Sequence, residues 1–536
     1  MNFKEKLTKE ISNSLKQEIV LRDTPSMEFG DYSLHCFNQN SNEIKNKIKS
    51  GLIEKIEIKG QYLNIFVKRS KFIEETLKEI DKDYGSSNLG KNKAIVIDFS
   101  SPNIAKPFSV GHLRSTVIGN SLYNIYSKIG YKVIGVNHLG DWGTQFGKLI
   151  IAYKKWGNER ELEKDPIKYL LNLYVKFHKE SESDESLNEE ARKEFRKLEQ
   201  NDNDSVKLWK KFKELSLKEF EKIYDLLNIK FDSCNGEAFY KDMLEDMIKY
   251  VMKKTKTEYS DDALIINLGQ YDMPPLILKK SNESSSYHTR DIAAALYRIK
   301  TYNPEKIIYV VGSEQKLHFN QLFKALELIG EDKDKFVHVD FGLFRFPEGK
   351  MSTRKGNVIF LEDVLNESIK LAKRIIEEKN SNLKDKEKIA RSVGIGAIIF
   401  ADLSNDRTRN INFDWNRIIS FEGETGPYAQ YTHARMCSIL KKSKLSQKID
   451  YSSFNEIEFA MIKKLSEFPQ IIKESALRYK PNIICTYLIQ LCQLFNNYYS
   501  KYEIKSSKER LFLTSKIKQI LSQGLKLLGI ESPEAM

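Results

Sequence analysis

Ala94-Ile95-Val96-Ile97-Asp98-Phe99 and, one residue on, Ser101-Pro102-Asn103-Ile104-Ala105-Lys106-Pro107-Phe108-Ser109-Val110-Gly111-His112-Leu113-Arg114-Ser115 decide the fold of this chain. The first run is short, apolar and β-branched, the pattern of a buried strand. Ser-Pro-Asn turns the chain, and a helix follows from about Gly111 with Ser109 as a capping residue. Tyr131-Lys132-Val133-Ile134-Gly135-Val136-Asn137 reads as a second buried strand, ending in His138-Leu139-Gly140-Asp141-Trp142-Gly143. Strand, helix, strand is the βαβ unit of a parallel sheet. Lys306-Ile307-Ile308-Tyr309-Val310-Val311 adds another strand, followed by Gly312-Ser313-Glu314-Gln315-Lys316-Leu317-His318. Residues 86–365 are therefore expected to form a doubly wound α/β domain of Rossmann type.

A second segment answers the first. Gly349-Lys350-Met351-Ser352-Thr353-Arg354-Lys355-Gly356-Asn357 is a glycine-bounded loop dense in cations. At Gly111 a side chain would block flat approach of an adenine ring, and His112 can donate to ribose or phosphate. Cations on a loop can stabilise the same phosphates from the other side. Together the two segments point to an enzyme that attacks ATP at its α-phosphate. Read singly, each also fits an ordinary capped helix start and a solvated basic loop.

Around this domain the pattern changes twice. Phe3, Leu7, Ile11, Leu15 and Ile19 recur every four residues, an amphipathic helix. Ile56 to Val67 then reads as two strands joined at Gly60, so residues 1–85 are expected to be a small α+β module. From about 158 to 222 Glu and Lys dominate, which predicts charged helices inserted into the sheet domain. Beyond about residue 366 the periodicity is helical to the end, with examples at Ser368–Lys379, Ile389–Asp402, Ile457–Ser466 and Ile483–Tyr499. Residues 366–536 are expected to be all-α.

Composition sets limits. The chain has 536 residues, with 87 Lys and Arg against 74 Asp and Glu, a net charge of +13. That excess suits an anionic partner such as nucleic acid, and equally a lysine-rich surface. Five cysteines without a Cys-x-x-Cys pair indicate no zinc site and a reducing compartment. The N-terminus lacks an apolar signal core, and Val393 to Ala401 is too short to span a bilayer, so the expectation is a cytoplasmic protein with no membrane association.

Asp98 to Gly147, Tyr287 to Arg298 and Pro347 to Val364 closely resemble the class I arginyl-tRNA synthetases. The run from Phe413 to Tyr428 and the terminal Gly529 to Met536 are similar too. The likeness extends over nearly the whole chain. It implies activation of L-arginine by ATP with Mg²⁺, then transfer to the 3′-terminal adenosine of tRNA(Arg). By that resemblance Lys106, Ser109, His112, Lys350 and Arg354 act on the phosphates. Gly111, Gly312, Glu314, His318, Met351 and Ser352 join Ser109, His112 and Lys350 around ATP. Asp98 and Asp291 supply carboxylates to the guanidinium, Tyr287 adds a hydroxyl, and Asn103 and Gln315 hold the amino and carboxylate ends. Tyr428, Tyr431, Arg435 and Met536 bind the tRNA, and the anticodon-binding part lies at about 415–536. The N-terminal module resembles one that binds the tRNA elbow. No metal is held by the protein itself, and a monomer is the family habit.

Two departures stand out. The family signature His-x-Gly-His is Ser109-Val110-Gly111-His112 here, and Lys-Met-Ser-Lys-Ser is Lys350-Met351-Ser352-Thr353-Arg354. The resemblance implies that Lys106 replaces the charge lost at Thr353. Ser109 leaves room for a different class, an RNA-binding paralogue that lost activation. Another nucleotidyl-transferring enzyme on a similar sheet is a third reading, which the Asp98, Tyr287 and Asp291 set opposes. His138 and His318 suggest a metal pair only until one notes that they sit on separate elements without partner ligands.

Overall fold

The computed structural model describes residues 3–37, 40–281, 285–345, 359–441, 443–446 and 448–536. Its centre is a parallel sheet of four strands in the order Phe336–Phe341, Lys306–Gly312, Ala94–Asp98, Lys132–Val136. The chain leaves Ala94–Asp98 through the helix Val110–Lys128 to its neighbour on one side, and later returns to the neighbour on the other. The reversal opens a crevice at the carboxyl ends of Ala94–Asp98 and Lys306–Gly312, the place where such sheets bind ligands. This is the expected doubly wound sheet. Phe99 packs on the helix so closely that a Cβ at Gly119 would come within 2.2 Å of its Cβ.

The turn after Asp98 is strained and pinned. Ser100, Ser101 and Ala105 have φ of 72°, 48° and 59°, each costing about 1 kcal/mol or more for a residue with a Cβ. Hydrogen bonds hold them there. Ser115 Oγ accepts from Ser100 N at 2.9 Å and donates to the Val310 carbonyl at 2.6 Å. Asn137 Oδ1 accepts from Ser101 N at 3.1 Å, and Ser216 Oγ from Ala105 N at 2.8 Å.

The charged region at 158–222 forms helices Glu159–Lys164, Pro166–Ser183, Ser186–Glu199 and Asn203–Leu227, whose Phe177, Phe212 and Phe220 join the main core. A three-stranded antiparallel sheet, Glu258–Ser260, Ala263–Ile266 and Leu276–Lys279, was not expected. It covers the opposite face with the helix Tyr287–Tyr302. The N-terminal module has helices and a four-stranded antiparallel sheet, with Ile53–Lys59 and Tyr62–Val67 joined through Gly60. Its first helix, Phe3–Leu15, ends earlier than the periodicity reaching Ile19 suggests, because Lys16 turns left-handed with φ 54°.

The C-terminal region is helical from Leu361, apart from the short strand Ile411–Asn412. Arg114, on the helix after the first signature, ties it to the sheet domain. Its Nε donates to Asp402 Oδ1 at 3.0 Å, and its Nη1 to the carbonyls of Gly342 and Arg409 at 2.7 and 2.9 Å. Both charged side chains are buried. Among the described residues no helix is long and apolar enough to cross a membrane.

Candidate active site

The first signature sits at the N-terminus of Val110–Lys128, with Ser109 as N-cap. The backbone N–H of Ser109 donates to His112 Nδ1 at 3.1 Å. Nδ1 is therefore an acceptor, and a neutral His112 carries its proton on Nε2. Burial first, and Lys106 after it, push the imidazole down to about 4. At neutral pH His112 is an uncharged donor beside a helix N-terminus, suited to a phosphate or ribose oxygen. Gly111 is exposed among the described residues. Lys106 lies 5.5 Å over the Tyr174 ring, within electrostatic reach of His112.

Lys350, Met351, Ser352 and Arg354 lie outside the described residues. The residues flanking them do not. Val110 N donates to the Ile359 carbonyl at 3.2 Å and Leu361 N to the Phe108 carbonyl at 2.9 Å, bridging Ser109 to Phe360. On the other side Phe344–Arg345 pairs in parallel with Ile411–Asn412.

The second half of the site lies across the crevice. Helix Tyr287–Tyr302 starts at the N-cap Ser286, which places Asp291 in its second turn. Asp291 Oδ2 is 2.8 Å from His318 Nε2, and Oδ1 is 3.7 Å from His138 Nε2. Burial would raise this carboxyl, but the His318 bond first, with Arg290 nearby, outweighs it, and it lies below its usual range. His318, expected beside ATP, thus holds the expected arginine-facing acid. The two histidines do converge from separate elements, on a carboxylate. Among the described residues no group of three or more His, Cys, Asp or Glu could hold a metal ion. Tyr287 is 54% exposed, with its ring 5.0 Å from that of His318.

One expectation is corrected. Asp98, expected to face a ligand guanidinium, faces one of the protein's own. Arg298 Nη2 is 2.8 Å from Asp98 Oδ2, with both side chains buried. Ser101 Oγ donates to Asp98 Oδ1 at 2.8 Å. A buried acid needs a counter-charge, and Arg298 supplies it two helical turns beyond Asp291. The open carboxylate of the crevice is Asp291. Tyr309, beneath both acids, has its ionisation pushed up by burial and by both carboxylates, with Arg298 opposing.

Asn103 bridges to Gly140, where any Cβ would meet its Oδ1 at 2.3 Å. Gly312 ends its strand and Glu314 and Gln315 follow, both exposed at the crevice edge.

In the helical region Arg435 lies between two rings, 5.0 Å from Tyr431 and 5.1 Å from Tyr499. Tyr428 OH accepts from Asn496 Nδ2 at 2.9 Å. Met536 packs against the helical core and its carbonyl meets Asn380 at 3.5 Å. A groove of about 710 Å³ opens beside Arg435, lined also by Tyr499, Tyr502, Lys441 and Lys505. Sequence reasoning missed Tyr499 and Tyr502, although Tyr498-Tyr499-Ser500-Lys501-Tyr502 interleaves aromatics with a cation as single-stranded bases prefer.

Residues 73–415 match the model of class I tRNA synthetases (R), catalytic domain, and residues 429–536 the DALR anticodon binding domain. The arginine--tRNA ligase of Clostridium kluyveri is 48% identical over 566 residues, covering all of both chains. The chain belongs to the arginyl-tRNA synthetase family. The arginine--tRNA ligase of Halothermothrix orenii is 46% identical to this synthetase, again over the full length of both. The solved Thermus thermophilus arginyl-tRNA synthetase shares its fold, with a TM-score of 0.85 at 24% identity over all of both chains. That from Plasmodium falciparum gives 0.80 at 26% identity over 99% of each. The synthetase is thus a class I, ATP-dependent ligase.

Proposed function

We propose that this arginine–tRNA ligase works at the crevice between Ala94–Asp98 and Lys306–Gly312, in two steps. The carboxylate of bound L-arginine attacks the α-phosphorus of ATP in line, and pyrophosphate leaves with the magnesium that enters as part of the substrate. The arginyl group then passes from the adenylate to the terminal ribose of tRNA(Arg), and AMP leaves. Neither step needs a covalent enzyme intermediate, so rate comes from alignment and from donors placed where charge develops.

His112 donates from Nε2 to the phosphates, Lys106 adds a positive charge beside it, and Ser109 is a weaker donor. Lys350 and Arg354 add charge from the second signature, on the strength of the family pattern. Gly111 lets the adenine lie on the backbone, with Met351, Ser352, Gly312 and Glu314 bordering the nucleotide. Asp291 takes the guanidinium, oriented by His318, with the Tyr287 hydroxyl beside it. Asn103 and Gln315 hold the amino and carboxylate ends. The observation that carries this reading is a half-buried, ionised Asp291 with one oxygen that has no hydrogen bond among the described residues, across the crevice from a neutral His112 on a helix N-terminus.

Tyr428, Tyr431, Arg435 and Met536 border the surface that reads the anticodon, with Tyr499 and Tyr502 extending it. The N-terminal module meets the tRNA elbow. Five free cysteines, Cys234 exposed among them, suit the cytoplasm, and the family habit is a monomer. The test is ATP–pyrophosphate exchange. Exchange that depends on arginine and is stimulated by tRNA is expected. None with tRNA present would favour the paralogue that binds RNA without activating arginine.

A further inference from the structure

The two oxygens of Asp291 are treated differently. Oδ2 is at hydrogen-bond distance from His318, whereas Oδ1 faces His138 Nε2 at 3.7 Å, too far for a bond. His138 Nδ1 lies 3.3 Å from the Asn235 carbonyl oxygen. A carbonyl only accepts, so Nδ1 carries the proton. A neutral His138 therefore turns a lone pair toward Asp291 Oδ1. That Nε2 atom is buried and has no hydrogen-bond partner among the described residues. Two acceptors face one another across a gap, which is unfavourable unless a donor reaches both. One terminal NH₂ of a guanidinium has two N–H bonds, one for each.

We propose that His138 is a specificity-determining residue for the amino-acid substrate. Its neutral Nε2 accepts one guanidinium N–H while Asp291 Oδ1 accepts another. A protonated His138 instead turns an N–H and a positive charge on the same spot, pairs with Asp291 and repels the substrate. Arginine binding is therefore coupled to loss of a proton from His138. The inference rests on the reading of Asp291 as the guanidinium partner.

Other titratable groups lie near His138. Asp291 lies below the usual carboxylate range and stays ionised near neutrality. Glu237 pairs with Arg290 at 2.9 Å, yet burial pushes its carboxyl above the ordinary range against the pull of Arg290 and then His138, so an acid limb that persists in His138→Gln would point to Glu237. Tyr240, its ring centroid 5.7 Å away, is pushed up to about 12 by burial and stays neutral. His318 donates to Oδ2, and its Nδ1 is buried without an acceptor. His288, beside His318, is pushed down to about 4 by burial and then by His318.

The test measures the arginine KM of the full-length enzyme by ATP–pyrophosphate exchange with tRNA present, across pH 5.5 to 8. In the wild type KM should rise on the acid side toward about tenfold per pH unit, the slope of one competing proton. In His138→Gln, which keeps an acceptor without a titrating group, the acid limb should vanish. His318→Gln should raise KM at every pH and keep the limb. Calorimetry of L-arginine binding to the wild type, in buffers of different ionisation enthalpy, should show release of up to one proton. That arm does not depend on any variant folding. An acid limb that persists in His138→Gln, or binding without proton release, overturns the role of His138. Asp291→Asn separates the two readings. If it leaves arginine binding intact, the guanidinium site itself is misplaced; if it abolishes binding while the His138 results fail, only His138 is reassigned.

Discussion

Replacing Arg298 by Met tests whether Asp98 is a structural acid or a substrate ligand. Met keeps most of the apolar stem against Tyr309, whose ring centroid is 5.6 Å from the guanidinium carbon. What disappears is the charge 2.8 Å from Asp98 Oδ2, in a pair whose side chains are 1% and 7% exposed. Leaving a buried ion without its partner costs about 3–5 kcal/mol, and the Ser101 hydroxyl offsets only part of that. Adding Asp98→Asn removes the orphaned charge, so the double variant should recover roughly 2–3 kcal/mol of the summed cost of the single variants. Urea unfolding of the four proteins, read from tryptophan fluorescence, gives the cycle. Arginine KM gives a second readout. With Asp98 structural, the double variant should stay within about tenfold of wild type, because the open carboxylate is Asp291. Additive stabilities, or an arginine KM raised about 100-fold whenever Asp98 is Asn, including in the double variant, would refute the reasoning.

Lys106→Ala should lower kcat of exchange by about 10²–10³, as for loss of one donor to developing charge, while the ATP KM moves little; a change confined to the ATP KM would make Lys106 a ground-state contact. His112 lies at about 4 in the folded protein against 6.5 when free. Its contribution to stability is therefore fully present above about pH 6.5 and is lost as pH falls through about 4. A shallower stability profile over that window is expected for His112→Gln, and an unchanged slope would contradict the burial of its neutral form. Arg435→Ala and Tyr499→Ala should raise the tRNA KM in aminoacylation, each by about 5- to 100-fold for a lost stacking contact, without changing arginine or ATP KM in exchange; an effect on the arginine KM would place the groove elsewhere in the mechanism.

Three of the four sheet strands and the start of the helix after Ser109 were legible because they depend on local pattern: short apolar runs, a Ser-Pro-Asn turn, a capping serine; the edge strand Phe336–Phe341 was not read. The hairpin at Glu258–Ile266 was missed, although its signal was local. Asp261 and Asp262 adopt φ of 47° and 60°, the left-handed pair of a two-residue hairpin turn that Asp tolerates. The site was legible in its residue types and not in their pairings. Asp98 and Arg298 are two hundred positions apart, so their ion pair exists only through the packing of Tyr287–Tyr302 on the sheet. One clue was available: Asp291 and Arg298 are seven residues apart, on one helix face, so an acid and a base enter the crevice together. The histidines were set aside because they sit on separate elements, whereas the parallel sheet brings the ends of its strands together.

The central claim is that Asp291 receives the guanidinium while His112 and Lys106 serve the phosphates. The most direct measurement is the arginine and ATP dependence of pyrophosphate exchange by Asp291→Asn, with tRNA present. Loss of a buried, hydrogen-bonded charge pair predicts an arginine KM raised by about 30- to 1000-fold, with the ATP KM within a few fold of wild type. An arginine response equal to that of the wild type, or a loss of ATP affinity in its place, would contradict the account.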